Sequence, residues 1–188
     1  MLIAIAGPQG SGKSTVVAEL EKNGYNVVET KFSRSVLKDW NVTLEEINDD
    51  YNLSMTFQDE LIDRKIKVEE QYISKLNTWV TERTFMDSFV YTLINFGKNN
   101  KYSEWLNNYY MKCLERTQIY DYVWYLRGGM FHVEHDGVRG SNHHYARMVD
   151  GLIYDHIKMA VHPSKLSIID YSNLDQRIQT IITQTKSL

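Results

Sequence analysis

The stretch Gly7-Pro8-Gln9-Gly10-Ser11-Gly12-Lys13-Ser14-Thr15 decides the fold of this chain. It matches the phosphate-binding pattern G-x-x-x-x-G-K-[ST] at every defined position. The apolar run Leu2-Ile3-Ala4-Ile5-Ala6 before it predicts a buried strand, and Thr15-Val16-Val17-Ala18-Glu19-Leu20 predicts the opening of a helix. A strand, a glycine loop and a helix in this order are the context in which the pattern binds phosphate. We therefore expect residues 7–15, here called the phosphate loop, to hold a phosphorylated ligand.

Each residue type in the phosphate loop has a physical task. The glycines let the backbone wrap an anion, so that its N–H groups point inward at phosphate oxygens. The start of the following helix adds a partial positive charge. We expect Lys13 to reach the β- and γ-phosphates of a nucleotide and Ser14 to ligate Mg²⁺. The predicted nucleotide-binding residues are Gly7, Gln9, Gly10, Ser11, Gly12, Lys13, Ser14 and Thr15.

Length and composition are typical of one α/β domain. The 188 residues suffice for a single domain with a substantial core, which we expect to extend over residues 1–188. The net charge of −3 disfavours a surface devoted to nucleic acid, although it allows a short basic groove. The single cysteine, Cys113, excludes an intrachain disulfide and suits a reducing cytoplasm. Because no signal peptide or transmembrane segment is visible, we expect a cytoplasmic protein without a membrane partner.

Strand and helix signals alternate along the rest of the chain. The predicted later strands cover residues 26–30, 78–81, 122–126 and 166–170. The predicted later helices cover about 54–76, 85–96, 102–118, 145–159 and 174–185, and Thr43 and Glu46 have capping-box spacing. This alternation predicts an α/β fold with a parallel five-stranded sheet flanked by helices. Ligands of such sheets bind outside the carboxyl ends of the strands, so these ends should face one cleft.

The segment Glu82-Arg83-Thr84 at the end of the third strand is the next signal, with Asp87 soon after it. A carboxylate beside a phosphate loop can hold Mg²⁺ or its water, and an arginine there can bind a phosphate. We therefore predict that Ser14 and Glu82 hold the metal, that Arg83 acts on the phosphates and that Asp87 contacts the substrate. The alternative is a surface ion pair at a helix start, in which Asp87 serves only the first helical turn.

These residues resemble the P-loop nucleoside and nucleotide kinases. Thymidylate kinases have an acid–arginine–aromatic motif at the end of the third strand, soon followed by Asp-Ser, and deoxynucleoside kinases have Glu-Arg-Ser there. This chain has Glu82-Arg83-Thr84, which is close to both and identical to neither. The segment Asp136-Gly137-Val138-Arg139 is similar to the Asp-Gly-x-Arg of the AAA-like P-loop domains in phage nucleotide kinases and ribosylnicotinamide kinases.

The resemblance implies how the donor side works. ATP with Mg²⁺ would bind the phosphate loop, and a lid over about residues 127–147 would close over it. The lid arginines Arg139 and Arg147 would neutralise charge as the γ-phosphoryl group moves in line. The alternative for this segment is an ordinary surface loop. Kinases of this kind often form homodimers, and the likeness to phage enzymes is consistent with a viral protein that works in the host cytoplasm.

The acceptor stays open between several classes. If the acceptor already carries a phosphate, Lys31 and Arg34 would form an anion grip with Arg83, which favours a nucleoside monophosphate; the alternative for Lys31 and Arg34 is solvated surface charge. Glu29 lies where deoxynucleoside kinases keep their catalytic glutamate, and Gln58 lies in a helix similar to the one whose glutamine reads the base; both favour a nucleoside with a 5′-hydroxyl acceptor. The predicted catalytic residues are Lys13, Glu29, Glu82, Arg83, Arg139 and Arg147, and the predicted substrate-binding residues are Lys31, Arg34, Gln58, Arg83 and Asp87.

Two further hypotheses do without a small-molecule acceptor. A hydroxyl of DNA is allowed as acceptor but not favoured, because the near-neutral charge disfavours a long nucleic-acid footprint. A regulatory P-loop NTPase coupled to a partner protein is the hypothesis from another class. It is disfavoured because the sequence lacks the Asn-Lys-x-Asp base-specificity motif of G proteins and the Asp-Glu strand end of motor ATPases. Phe57 and Trp40 are candidates for stacking on a base in the kinase hypotheses.

Overall fold

The sheet confirms the predicted fold class. The computed structural model describes residues 1–28, 32–73, 76–128 and 142–188. Its sheet has five strands in the order β2-β3-β1-β4-β5, and every described pairing is parallel. The strands are β1 (Leu2–Ala6), β2 (Asn26–Val27), β3 (Trp79–Glu82), β4 (Tyr122–Leu126) and β5 (Leu166–Ile169). Because the strands are parallel, their carboxyl ends lie along one edge of the sheet.

Helices cover the sheet on both faces. The eight helices in the described part of the chain are α1 (Lys13–Lys22), α2 (Phe32–Trp40), α3 (Leu44–Asp49), α4 (Tyr51–Glu69), α5 (Phe85–Phe96), α6 (Ser103–Thr117), α7 (His143–Ala160) and α8 (Leu174–Thr185). Helices α1 and α8 pack together on one face, and α5 packs with α6 and α7 on the other. None of the helices within the described ranges is long and apolar enough to cross a membrane.

The central strand β1 explains why the phosphate loop is held between two helical layers. All five of its residues are buried. Because side chains alternate across a strand, Ile3 and Ile5 pack in the core beneath α1 and α8, whereas Ala4 and Ala6 pack in the core beneath α5, α6 and α7. A strand that is covered on both faces requires a continuous apolar run, and residues 2–6 supply it.

The prediction of one long helix over residues 54–76 is wrong at both ends. Helix α4 begins at Tyr51, where the Asp50 carboxylate caps it by accepting from two backbone N–H groups, and it ends at Glu69. Ile73 and Leu76, expected on its apolar face, are exposed. Glu69, the last residue of the helix, is buried and accepts from Lys65 one turn earlier at 2.5 Å, and residues 70–73 form turns.

Of the two helices before α4, the sequence predicted the start of one and missed the other. The capping box of Thr43 and Glu46 is confirmed, because each backbone N–H is bound by the other residue's side chain. It starts α3, a separate short helix before α4. Helix α2 (Phe32–Trp40) was not predicted at all, although Phe32 and Val36 lie one turn apart and are both buried.

Candidate active site

The phosphate loop leads from β1 into α1, and its backbone requires glycine. Within the loop, the glycines with left-handed φ angles are Gly7 (139°), Gly10 (73°) and Gly12 (84°). A Cβ on Gly7 would lie 2.3 Å from the Leu126 carbonyl oxygen, so a side chain cannot fit there. Lys13 is buried, and its Nζ donates to the Pro8 carbonyl at 2.5 Å. The lysine ammonium therefore lies within the loop itself.

The predicted metal residues lie together. Ser14 begins α1 and Glu82 ends β3, and the Ser14 Oγ donates to the Glu82 carboxylate at 3.1 and 3.0 Å from its two oxygens. Hydroxyl and carboxylate oxygens are the ligands that Mg²⁺ prefers, so this donor set fits the ion. No cluster of three or more His, Cys, Asp or Glu within the described ranges offers a metal site. The pair would therefore be completed by water and phosphate oxygens, as is usual for Mg²⁺.

Asp87 holds the phosphate loop to α5. Its Oδ1 accepts from the Gly7 backbone N–H at 2.9 Å, and its Oδ2 accepts from the Thr84 N–H at 2.8 Å and the Thr84 hydroxyl at 2.7 Å. The residue is fully buried. Both carboxylate oxygens are thus engaged by the protein. The structure shows that Asp87 fixes the first amide of the loop, and its contact with substrate remains a prediction.

Arg83 is held in a strained backbone conformation between β3 and α5. Its φ is 72°, a left-handed value that is unfavourable for a residue with a side chain. Its Nη1 is buried with no hydrogen-bond partner and lies 4.0 Å from Asp87. Burial favours the neutral guanidinium, but the nearby Tyr91, Asp87 and Glu82 outweigh it and raise the pKa of Arg83. Arg83 is therefore a fixed cation with a donor that a ligand oxygen can satisfy.

Tyr91 was missed by the sequence analysis. Its hydroxyl accepts from the Gln9 backbone N–H at 3.2 Å, and the Arg83 guanidinium carbon lies 5.3 Å from the centre of its ring. Tyr91 therefore contacts both the phosphate loop and the arginine at the strand end. The sequence has thirteen tyrosines and no pattern that sets this one apart.

The acceptor side differs from the prediction in its aromatic residues. Gln58 of α4 is half-buried, and its Oε1 lies 3.5 Å from the Tyr109 hydroxyl. Phe57 is 2% exposed and Trp40 packs edge-on against it, with ring centres 6.1 Å apart. Phe57 belongs to the core between α2 and α4, which contradicts its expected stacking on a base, whereas Trp40 is partly buried at the edge of this core and its stacking remains a prediction. Arg34 is exposed on α2.

Several predicted residues fall outside the described part of the chain. These are Glu29, Lys31 and Arg139. Of the predicted lid, only residues 127–128 and 142–147 are described, and within them Arg147 is exposed on α7. The predictions for this set remain predictions.

The end of β4 is fixed to α7 by an acidic residue that the sequence analysis also missed. Asp150 is buried; its Oδ2 accepts from Arg127 at 2.9 Å (Nε) and 2.7 Å (Nη2), and its Oδ1 accepts from the Gly128 N–H and the Tyr125 hydroxyl. The sequence contained a signal for Asp150. Asp150 lies one helical turn before Ile153, on the buried stripe of α7, where an acid needs a partner.

Comparisons with known proteins agree with this geometry. The sequence model of the AAA domain family matches residues 2–176. The structure superimposes on the deoxyadenosine kinase of M. mycoides with dCMP and dCDP bound, with a TM-score of 0.71 and 20% identity over 100% of both chains. The match to NadR protein in complex with NR has a TM-score of 0.73 and 12% identity, and it covers 96% of this chain and 50% of that one. The match to thymidylate kinase from Candida albicans has a TM-score of 0.61 and 16% identity, and it covers 99% of this chain and 91% of that one.

A search of curated proteins found no match. The solved structures share few residues with this chain, so the likeness to them establishes a kinase-like P-loop fold. The identity of the substrate has to be argued from the site.

Proposed function

This chain belongs to the AAA domain family, and from that premise we propose that it is an ATP-dependent kinase whose acceptor is a nucleoside monophosphate. The observation that supports this most is the pairing of two anion-binding groups on neighbouring strands. The phosphate loop follows β1, and Arg83, with its unpartnered buried N–H, follows β3, which is hydrogen-bonded to β1. A donor phosphate and an acceptor phosphate can therefore meet between them.

The donor side would bind the triphosphate of ATP. The backbone N–H groups of the phosphate loop would receive the phosphate oxygens, and the Lys13 ammonium would exchange its contact with Pro8 for a phosphate oxygen. Ser14 and Glu82 would hold Mg²⁺, directly or through water. When bound, the metal neutralises the negative charge of the β- and γ-phosphates.

The acceptor side would use Arg83. An oxygen of the acceptor attacks the γ-phosphorus, the bond from the γ-phosphorus to the bridging oxygen breaks, and ADP leaves. A monophosphate oxygen is already ionised, so this step needs no general base. Arg83 would hold the acceptor phosphate and offset the repulsion between the two anions. We propose Lys31 and Arg34 as further contacts of the acceptor phosphate, and Arg139 and Arg147 as contacts of the moving phosphoryl group.

A nucleoside kinase is the second candidate. It is favoured by the match to a deoxyadenosine kinase over the full length of both chains. In that case the 5′-hydroxyl proton must go to a base, for which we propose Glu29, and Gln58 would bind the nucleobase. Glu82 suits this task less well, because the proposal assigns its carboxylate, with Ser14, to Mg²⁺. Transfer to a DNA hydroxyl and a regulatory NTPase activity are less favoured proposals, and a homodimer is compatible with either kinase candidate.

The test is phosphoryl transfer from labelled ATP and Mg²⁺ to a panel of nucleosides, nucleoside monophosphates and DNA oligomers. We expect a labelled diphosphate from one monophosphate, and loss of that product in Lys13→Ala. A labelled monophosphate from a nucleoside would establish the second candidate instead. Labelled DNA alone would overturn both. Glu29→Gln separates the two small acceptors, because only the nucleoside reaction needs a base.

A further inference from the structure

A fully buried arginine, Arg177, lies on the opposite side of the phosphate loop from Asp87. It sits in the first turn of α8, one helical turn before Ile181 and on the same apolar stripe of the helix. Burial lowers the pKa of Arg177, and Asp170 and Asp150 oppose this shift. A guanidinium is costly to bury in an apolar stripe, so its contacts must explain its presence.

The contacts of Arg177 join three strand ends. Its Nη1 donates to the Ser11 carbonyl of the phosphate loop at 2.8 Å, and its Nη2 donates to the Arg127 carbonyl after β4 at 3.1 Å. Its Nε donates to the Tyr171 carbonyl after β5. The guanidinium is planar and rigid, so three carbonyls bound to one such group are fixed relative to one another.

The contact with Ser11 has a consequence for anion binding. A trans peptide points its C=O and its N–H in opposite directions. Arg177 holds the Ser11 carbonyl toward α8, so the Gly12 N–H of the same peptide must point away from α8. A positive charge on the carbonyl oxygen also polarises the peptide and makes its N–H a stronger donor. Gly12 directly precedes Lys13, where a phosphate would lie.

We propose that Arg177 is a positioning residue for nucleotide binding: it orients the Ser11–Gly12 peptide and thereby presents the Gly12 N–H to a phosphate oxygen. This inference rests on the proposed binding of ATP by the phosphate loop and not on the identity of the acceptor. Arg177 acts through the backbone and does not itself contact the nucleotide. It also ties the loop to the end of β4, which Asp150 fixes to α7.

A matched control lies in the same helix. Gln184 of α8 accepts from the buried Trp124 Nε1 at 2.8 Å, so its substitution also removes a contact between α8 and β4. It forms this contact at the other end of the helix, away from the phosphate loop. Gln184→Met should lower the melting temperature and leave nucleotide affinity unchanged.

The experiment measures binding without any acceptor. Arg177→Met, Arg177→Lys, Gln184→Met and the unmodified protein are titrated calorimetrically with Mg·ATP and with inorganic tripolyphosphate. The Gly12 amide resonance and the melting temperature are recorded in parallel. We expect Arg177→Met to raise both dissociation constants by about tenfold or more, as when a group that orients a ligand-binding residue is removed. The Gly12 amide should shift in this variant and not in Gln184→Met.

The outcomes separate this inference from the proposed function. A folded Arg177→Met with unchanged affinity for both probes would overturn the role of Arg177 alone. If Arg177→Met does not fold, Arg177→Lys decides, because a single ammonium cannot bind three carbonyls in the same plane; unchanged affinity in that variant would equally overturn the role. Failure of the unmodified protein to bind either probe would overturn the proposed function itself, and this inference with it.

Discussion

Helices α3 and α5 begin with the same local motif, and only one of them belongs to the site. At α3, the Thr43 N–H donates to Glu46 at 2.7 Å, and at α5, the Thr84 N–H donates to Asp87 at 2.8 Å. The first box is exposed to solvent, whereas Thr84 and Asp87 are fully buried. The second oxygen of Asp87 accepts from Gly7, which joins the helix to the phosphate loop. Burial and one additional contact turn a local capping motif into a support for the phosphate loop.

Two arginines of similar exposure differ in how their donors are used. Arg83, at the start of α5, has a buried N–H without a partner. Arg64, on α4, donates to Asp39 and Glu60, at 2.5 and 2.6 Å, in a partly exposed cluster. Exposed ion pairs contribute little to stability, because water screens them. Arg83 therefore keeps a donor available to a ligand, whereas Arg64 is paired with carboxylates of α2 and α4.

The largest expected effect is on the buried capping box. Asp87→Ala leaves the Gly7 and Thr84 N–H groups buried without an acceptor, so we expect the free energy of unfolding to fall by about 3 kcal/mol or more. Glu46→Ala removes the matching group at α3, where water can replace it, and should cost much less. Urea unfolding of both variants measures the difference. Equal losses would contradict the distinction between the two helix starts.

The two arginines should differ in catalysis. Arg83→Met removes a fixed cation from the proposed acceptor site, and we expect kcat/KM for phosphoryl transfer to fall by about 100-fold, as when one donor of a charge-stabilising site is removed. Arg64→Met removes a cation that is already paired with Asp39 and Glu60, and should leave kcat/KM near the value of the unmodified protein. Steady-state kinetics with the best acceptor check this. A greater loss in Arg64→Met would place the acceptor against α4 instead.

Loss of one hydrogen bond from a buried network behind β3 should have an intermediate effect on stability. The Tyr120 hydroxyl donates to the buried Glu69 at 2.9 Å, and Lys65 and Thr81 bind the other oxygen of that carboxylate. Tyr120→Phe should reduce the free energy of unfolding by about 2 kcal/mol, because one oxygen of a buried carboxylate loses its donor. The control is Tyr122→Phe, whose hydroxyl pairs with Ser167 in a partly buried position. Equal urea midpoints for the two variants would refute the expectation.

The smallest expected effect is a pH dependence at α3. Hydrogen bonds from the Thr43 backbone and side chain lower the pKa of Glu46 below its ordinary value of 4.5. A folded-state pKa below the unfolded value stabilises the protein above the unfolded pKa, and this contribution disappears as the pH falls through the folded pKa. Glu46→Gln should therefore differ most from the unmodified protein near neutral pH, and the difference should shrink in acid. Urea midpoints between pH 7 and pH 3 test this; a constant difference would contradict it.

Much of the donor side was predictable from the sequence, because its signals are local. The pattern of residues 7–15 fixes the loop, and the strand-end rule correctly places Ser14 beside Glu82. The bounds of β4, α5 and α8 match the prediction because an apolar run or a periodic pattern ends at a clear capping or turn residue.

The sequence did not reveal the contacts of polar side chains that turn inward. Glu69, Asp87 and Arg177 all lie in helices and are all fully buried. Whether such a residue faces solvent or a backbone group depends on an element distant in the sequence, as when Arg177 meets Ser11. Helical periodicity gives a usable signal, because Arg177 falls on an apolar stripe, but it does not identify the partner.

The most direct test of the central claim is the stoichiometry of phosphoryl transfer with the best acceptor. Phosphorus NMR follows ATP, ADP, the acceptor and inorganic phosphate in one reaction with Mg²⁺, for the unmodified protein and for Lys13→Ala. We predict that each ADP formed is matched by one phosphorylated acceptor and that Lys13→Ala abolishes both products. ADP formed with an equal amount of inorganic phosphate and no phosphorylated acceptor would contradict the account and identify an NTPase.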